Sequence, residues 1–221
     1  MAKFEGFGRR AHARSRHPTG AHATSSVAKS AINIESQNYN IPSKTEALRA
    51  GADRMIAVRA RTEADLEDCV EVLRRVYTQD GYPVQGVERA HAFLQRGIQR
   101  AWIAERDGHI VGHIAVAGAT HDDVAAAEWM RLHQDEPCAI LERLFIDPKH
   151  RGGGTAGALI AAAIGWSNQA QVELVLFALV QAQTAIRLYE RLGWIRFGTV
   201  PWTGSGGQTM DAVCFSSPRH G

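Results

Sequence analysis

The sequence has few cysteines and no long hydrophobic segment, and these absences exclude several classes of protein. Cys69, Cys138 and Cys214 are odd in number, lie far apart and form no CxxC pair, which argues against a disulfide scaffold and a structural zinc site. No run of about 18 apolar residues occurs, so no transmembrane helix is predicted. No apolar secretory signal is present either, and we expect a soluble protein of the reducing cytoplasm.

The rest of the composition is that of a globular protein with an unusual first quarter. Of the 221 residues, 45% are hydrophobic and 22% are charged. The net charge of +2 is uneven, because residues 1–54 carry +5 and residues 55–221 carry −3. Residues 1–54 are mostly small and polar, so we expect a disordered basic tail before a folded domain at 55–217. We favour a dispensable tail over an organelle transit peptide or an arm that binds nucleic acid, and Met55 is an alternative start of the chain.

Apolar periodicity after residue 55 predicts a mixed α/β domain. An alternating strand, 56–61, precedes a helix that begins at Thr62, with Asp65 in a capping-box position. Asp107–Gly108 is a strong hairpin signal between two further strands. The predicted order is β-α-α-β-β-β-α-β-α-β-β, with an antiparallel start and a parallel crossover in the middle. The later segments are strand 138–146, helix 155–168, strand 172–180, helix 183–192 and strands 194–200 and 209–215.

A glycine-rich turn between a strand and a helix is the strongest chemical signal. It has the sequence DPKHRGGGTAG at 147–157. Backbone N–H groups converge at such a turn and the helix N-terminus adds its positive dipole end, so the pattern predicts a phosphate or pyrophosphate cradle. No GK[ST] follows, which excludes a Walker A loop, whereas a simple tight turn is the alternative.

Three segments together resemble the GNAT superfamily of acyl-CoA-dependent N-acyltransferases. RGGGTA at 151–156 fits its [QR]-x-x-G-x-[GA] motif, and LERLFIDP at 141–148 resembles the strand before that loop. AIRLYERLGW at 185–194 resembles its A-I-x-L-Y-x-x-L-G-F helix, with Trp194 in place of the usual phenylalanine. The resemblance covers about residues 56–217. It implies a mixed central sheet with an antiparallel start and a splayed parallel pair, flanked by helices.

The resemblance also implies a site for acetyl-CoA as acyl donor and co-substrate. The pantetheine arm would lie between strands 138–146 and 172–180, along the backbone of Leu144, Phe145 and Ile146. A backbone amide near Phe145 would polarise the thioester carbonyl. The pyrophosphate would rest on the loop and helix start, which consist of Arg151, Gly152, Gly153, Gly154, Thr155, Ala156 and Gly157.

Tyr189 is the candidate general acid. The resemblance implies that its phenol protonates the departing CoA thiolate while an amine attacks the thioester directly in a ternary complex. The alternative is a core tyrosine, because Tyr189 shares a helix face with Ala185, Ile186 and Leu192.

Glu142 is the candidate general base. On an alternating strand it shares a side with Ile140, Leu144 and Ile146, where a carboxylate is costly unless it is paired or used. The alternatives are an ion pair, or a carboxylate that only positions the amine. Many family members carry a glutamate twelve residues before the tyrosine, where this chain has Phe177.

Neither a metal nor a particular acceptor is indicated. His109 and His113 lie ~13 Å apart on a strand, too far to share a metal, and both are expected at the surface or half-buried. Residues 118–137 form an acidic segment that either attracts a cationic amine or is an ordinary solvated loop. Its acids are Asp122, Asp123, Glu128, Asp135 and Glu136.

The sequence therefore predicts an acetyl-CoA-dependent N-acetyltransferase that acts on a primary amine. The amine would belong to a small molecule or a peptide N-terminus, and a homodimer is compatible with the fold. The alternative is a non-catalytic acyl-CoA-binding or sensor domain, because the second glutamate is missing. Nucleic acid and membrane are not expected as partners.

Overall fold

A seven-stranded sheet forms the centre of the part of the chain that the structure describes. The structure is a computed structural model that describes residues 56–134, 136–204 and 207–218. The predicted tail and Met55 lie outside these residues. The spatial order of the strands is β1-β2-β3-β4-β5-β7-β6. The strands are β1 (Ala57–Ala60), β2 (Ile98–Arg106), β3 (His109–Gly118), β4 (Cys138–Ile146), β5 (Glu173–Leu179), β6 (Ile195–Thr203) and β7 (Thr209–Ser216).

Helices cover both faces of the sheet. They are α1 (Leu66–Asp80), α2 (Ala90–Gln95), α3 (Val124–Leu132), α4 (Thr155–Ala170) and α5 (Gln183–Arg191). Buried residues of α4 and α5 pack on one face, where Leu159, Leu176 and Phe215 form part of the core. Helices α1 and α2 pack on the opposite face together with Phe145. The predicted mixed α/β fold with an antiparallel start is confirmed.

The predicted capping box at the start of the first helix is confirmed. The Asp65 carboxylate accepts hydrogen bonds from the backbone N–H of Thr62 at 2.6 Å and from its hydroxyl at 2.7 Å. The chain forms a short 3-10 turn, Glu63–Asp65, before it enters α1. Arg59 of β1 adds a bidentate ion pair, so the pKa of Asp65 lies far below its usual value. These contacts fix the angle at which α1 leaves the sheet.

The parallel strands β4 and β5 separate after a short ladder. They pair at Cys138 with Glu173, Ala139 with Leu174 and Ile140 with Val175. Within the described residues, the second half of β4 pairs with β3 on one edge and with no strand on the other. A gap therefore opens between the two strands, which confirms the predicted splayed pair.

A bulge in β4 corrects one sequence-based expectation. Ala115 of β3 stands opposite Glu142 and His113 stands opposite Phe145, so β4 has one extra residue between these pairs. Arg143 lies in this stretch with φ +56°, in the left-handed region that is rare for a residue with a side chain. Glu142 consequently lies on the same face as Ile140 and Phe145. The prediction that it shares a side with Leu144 and Ile146 was wrong, because the bulge interrupts the alternation.

His113 is fully buried, contrary to the expectation of an exposed or half-buried histidine. Its Nδ1–H donates to the Arg143 carbonyl at 3.0 Å, and its Nε2 accepts from Arg61 Nη1 at 3.0 Å. Its ring stacks on Phe145, with 5.0 Å between centroids. Burial lowers the pKa of His113 to about 3, so the ring is neutral and holds the bulge carbonyl in place.

Candidate functional site

The gap between β4 and β5 leads to the glycine-rich loop. The side chain of Phe145 packs toward α1 and α2, whereas Leu144 and Ile146 pack toward α4. The edge of this half-strand that faces β5 consequently offers backbone groups. Because those groups are not used by β5, an extended ligand could pair with them.

The loop presents a row of unpaired amides. Gly152 has φ +79° and Gly154 has φ +83°, and at both positions the space that a β-carbon would enter is free of protein atoms within 4 Å. Gly154 is the N-cap of α4. Among the described residues, no acceptor takes the backbone N–H groups of residues 152–157. These residues suit the phosphate groups of a nucleotide, because the amides and the helix dipole both favour negative charge.

The side chain of Arg151 is directed away from this row of amides. Its Nη1 lies 3.2 Å from Asp80 Oδ1 and its Nη2 contacts Asp80 Oδ2, while its Nε donates to the Ile146 carbonyl at 3.3 Å. Asp80 ends α1. The Arg151 side chain therefore connects the loop to α1.

Glu142 lies half-buried on β4 beside a positive charge. One carboxylate oxygen is 3.2 Å from Arg143 Nη2, and the side chain is 31% exposed. Burial raises the pKa of Glu142; Arg143 opposes this rise, and the nearby charge of Asp123 adds to it. A carboxylate with a raised pKa is a better proton acceptor than an exposed glutamate, which suits a general base.

Arg143 is a site residue that sequence reasoning missed. Its Nη2 also donates to the Arg96 carbonyl at 2.9 Å, and its guanidinium lies 5.0 Å from the centre of the Phe93 ring. Its Nε and Nη1 are buried without an acceptor among the described residues. Because the bulge turns both side chains to one face, Arg143 lies beside Glu142. Two adjacent charges in an otherwise apolar strand were the available signal.

Tyr189 lies on α5 and is 8% exposed. Its ring meets Trp194 edge-on at 5.4 Å and lies 5.9 Å from Phe215. Burial raises the pKa of Tyr189, so the phenol keeps its proton well above neutral pH. The ring contacts agree with the core alternative, and the protonated phenol is what a general acid would need, so the role of Tyr189 stays a prediction.

Tyr82 is a partly buried phenol that packs with α1 and α2. It lies between these two helices, and its ring meets Phe93 edge-on at 6.3 Å. Burial raises the pKa of Tyr82, the nearby carboxylate of Glu142 raises it further, and Arg143 opposes this rise. Tyr82 is therefore a titratable neighbour of Glu142.

Aromatic side chains form the other side of this site. Phe177 of β5 lies on the same face as Ile140 and Val175. Many members of the family that this sequence resembles carry a glutamate at this position. The Phe177 ring lies 6.0 Å from that of Trp202 on β6. The site therefore has one side that carries charge on β4 and another that is aromatic on β5 and β6.

Two acids of the segment at 118–137 bind groups of its own helix, α3. Asp123 caps α3 by accepting from the N–H groups of Ala125 and Ala126. Glu128 pairs with Arg131 in the same helix at 2.7 Å. Asp135 lies outside the described residues. The segment thus forms a packed helix, and Asp123 is the acid whose charge reaches Glu142.

Two further properties concern only the described residues. No three side chains of histidine, cysteine, aspartate or glutamate come together there as metal ligands would. None of the helices in that part of the chain has the length and hydropathy to cross a membrane.

Comparison with known proteins identifies the family. The model of the "Acetyltransferase (GNAT) family" matches residues 66–194, more than half of the chain. The fold agrees with this match: an acetyltransferase structure from Salmonella typhimurium, solved with acetyl-CoA, aligns with a TM-score of 0.54. That alignment covers 73% of this chain and 92% of the other at 16% identity.

Curated relatives share only part of their length with this chain. A mycothiol acetyltransferase of Acidothermus cellulolyticus is 30% identical over 120 residues, which are 48% of this chain and 35% of that protein. An uncharacterized N-acetyltransferase of Methanocaldococcus jannaschii is 27% identical over 143 residues, 62% of this chain and 59% of that protein. This chain therefore spans between about a third and three fifths of these relatives.

Proposed function

The chain belongs to the GNAT acetyltransferase family, and from this we propose that it is an acetyl-CoA-dependent N-acetyltransferase acting on a primary amine. One observation carries the proposal: the gap between β4 and β5 ends at a loop whose amides have no acceptor among the described residues. An extended arm that ends in a pyrophosphate matches both features. The mycothiol acetyltransferase relative and the Salmonella structure with acetyl-CoA support the same assignment.

Acetyl-CoA would be held by backbone groups. The β4 edge at Leu144, Phe145 and Ile146 would pair with the pantetheine arm, and the amides of residues 152–157 would take the pyrophosphate. The ligand supplies an activated acetyl thioester. Since the loop contributes mainly partial charges, a cationic side chain nearby would add substantially to affinity.

The side chains around the gap would move the protons. As the amine nitrogen bonds to the acetyl carbon, its proton passes to the Glu142 carboxylate, directly or through water. As the carbon–sulfur bond breaks, Tyr189 donates its phenolic proton to the sulfur. The aromatic side formed by Phe177 and Trp202 suits an acceptor amine attached to an apolar body.

The test is to titrate the full chain with acetyl-CoA calorimetrically and then to screen amines for thiol release. Micromolar binding with release on some amines supports the enzyme. The absence of binding contradicts the assignment. Binding without release from any amine favours the sensor domain, for which Phe177 in place of the usual glutamate is the supporting feature.

Tyr189→Phe is expected to lower kcat by about tenfold, less than the usual ~100-fold or more for a general acid, because a thiolate leaves readily. Its affinity for acetyl-CoA should stay within twofold, because the ring contacts with Trp194 and Phe215 are retained. Turnover kinetics and calorimetry on the same preparation measure both quantities. An unchanged kcat with the best amine would remove Tyr189 from the mechanism.

A further inference from the structure

A guanidinium group lies against the glycine-rich loop from the neighbouring hairpin. Arg106 is the last residue of β2, before the turn at Asp107–Gly108. Its Nη2 lies 2.9 Å from the point that a β-carbon on Gly153 would occupy. The guanidinium can approach the loop this closely because residue 153 has no side chain.

Arg106 has an unused hydrogen-bond donor in the part of the chain that the structure describes. Its Nε is buried and has no hydrogen-bond partner among the described residues. No carboxylate of the described chain lies within ion-pair distance of Arg106, although the turn and α1 carry acids nearby. Two of those acids have other partners, because Asp147 binds Arg75 and Glu71 binds Arg74. A buried N–H without an acceptor is costly, and a bound anion would remove that cost.

We propose that Arg106 is a phosphate-binding residue, which donates hydrogen bonds to the pyrophosphate of acyl-CoA held on residues 152–157. The inference rests on the proposed function. Arginine suits this role because it offers a full positive charge and several donors in one plane. The β2–β3 hairpin thereby contributes to a site that the family motif assigns to the loop alone.

Two other roles for Arg106 make different predictions. A purely structural guanidinium would stabilise the hairpin and the loop whichever ligand is present. A guanidinium that binds the 3′-phosphate of CoA would contribute nothing when that phosphate is missing. Ligands that lack one or all phosphates therefore separate these roles.

The experiment compares wild type with Arg106→Gln, which keeps an N–H donor but is uncharged and too short to reach where the guanidinium ends. Dissociation constants are measured calorimetrically for acetyl-CoA and for its 3′-dephospho form, and by competition for acetyl-pantetheine. We expect Arg106→Gln to bind acetyl-CoA and its 3′-dephospho form with 10- to 100-fold lower affinity, which is the range of charge-assisted hydrogen bonds. The affinity for acetyl-pantetheine should be the same in both proteins. Arg106→Lys should bind the two nucleotide ligands with an affinity between those of wild type and Arg106→Gln.

Arg100→Gln is the matched control. Arg100 lies on the same strand and is exposed, and its Nη1 donates to the neighbouring carbonyl of Gln99. This variant should bind all three ligands as wild type does. Thermal unfolding of each variant without ligand shows whether the hairpin is intact.

Each remaining result overturns the inference. Equal affinity of wild type and Arg106→Gln for acetyl-CoA would remove Arg106 from the site while the proposed function stands. A loss confined to acetyl-CoA would assign the side chain to the 3′-phosphate, and an equal loss on all three ligands would make its role structural. If wild type binds none of the three, the proposed function fails as well.

Discussion

Gly154→Asp is expected to weaken acetyl-CoA binding by at least about 100-fold. Gly154 has φ +83°, and forcing a residue with a β-carbon into this conformation costs ~1–2 kcal/mol. The new carboxylate would also lie beside the amides of residues 152–157 and repel a pyrophosphate there. A contribution of similar size from that repulsion brings the total to about 2.7 kcal/mol, which corresponds to 100-fold. Calorimetric titration with acetyl-CoA measures the effect.

Gly154→Asn separates the charge from the backbone conformation. Asparagine has nearly the same shape as aspartate and a similar tolerance of a positive φ, but it brings no negative charge. Gly154→Asn should bind acetyl-CoA at most about tenfold more weakly than wild type does. The ratio of the dissociation constants of the two variants then measures the repulsion by the aspartate charge. Gly165→Asp, in the open middle of α4, controls for added charge elsewhere and should bind normally. Equal affinities for the aspartate and asparagine variants would contradict an anion site at this loop.

Most of the architecture was predictable because it follows from local periodicity. The strand at 138–146 has the bounds that apolar spacing indicated, whereas the helix Val124–Leu132 is missing from the predicted order of elements. Other ends differ by one to three residues: β2 begins at Ile98, since Ile98 and Arg100 still pair with β3. Hydrophobic patterns determine which segment forms, whereas hydrogen bonds to neighbouring strands determine where it ends.

The site was only partly predictable because two of its features are not periodic. The bulge at Arg143 changes which residues share a face with Glu142, and it depends on a hydrogen bond from His113, thirty residues earlier. Arg106 reaches the loop only because the hairpin ends beside Gly153. Such contacts depend on tertiary packing, and no spacing along the chain encodes them. The glycine-rich loop, by contrast, is local and was found from its sequence.

Glu142→Gln is expected to lower kcat/KM by about 100-fold, the lower end of the effect of a general base. Glutamine keeps the shape of the side chain and a hydrogen-bond acceptor for Arg143, but it cannot take a proton. The affinity for acetyl-CoA should not change, because other residues would hold the ligand. Steady-state kinetics over a range of pH, with calorimetry at neutral pH, measure both quantities.

The pH profile gives a second and sharper test of Glu142. A base works only when it is deprotonated, so kcat/KM should fall as pH drops through the pKa of Glu142. Burial raises this pKa, so the fall should occur at a higher pH than for an exposed glutamate. Glu142→Gln should abolish this limb of the profile.

Arg143→Met removes the positive charge that opposes the rise in the pKa of Glu142. Arg143, Asp123 and Tyr82 are the charged or titratable neighbours of Glu142, and of these Arg143 lowers its pKa. The variant should therefore move the acid limb to higher pH, while Arg143→Lys should keep it near the wild-type position. If Arg143 only stabilises the fold, Arg143→Met would reduce the rate at every pH and lower the melting temperature without moving the acid limb. An acid limb that stays in place in Arg143→Met would show that another group titrates, and Glu142 would then be left with positioning the amine.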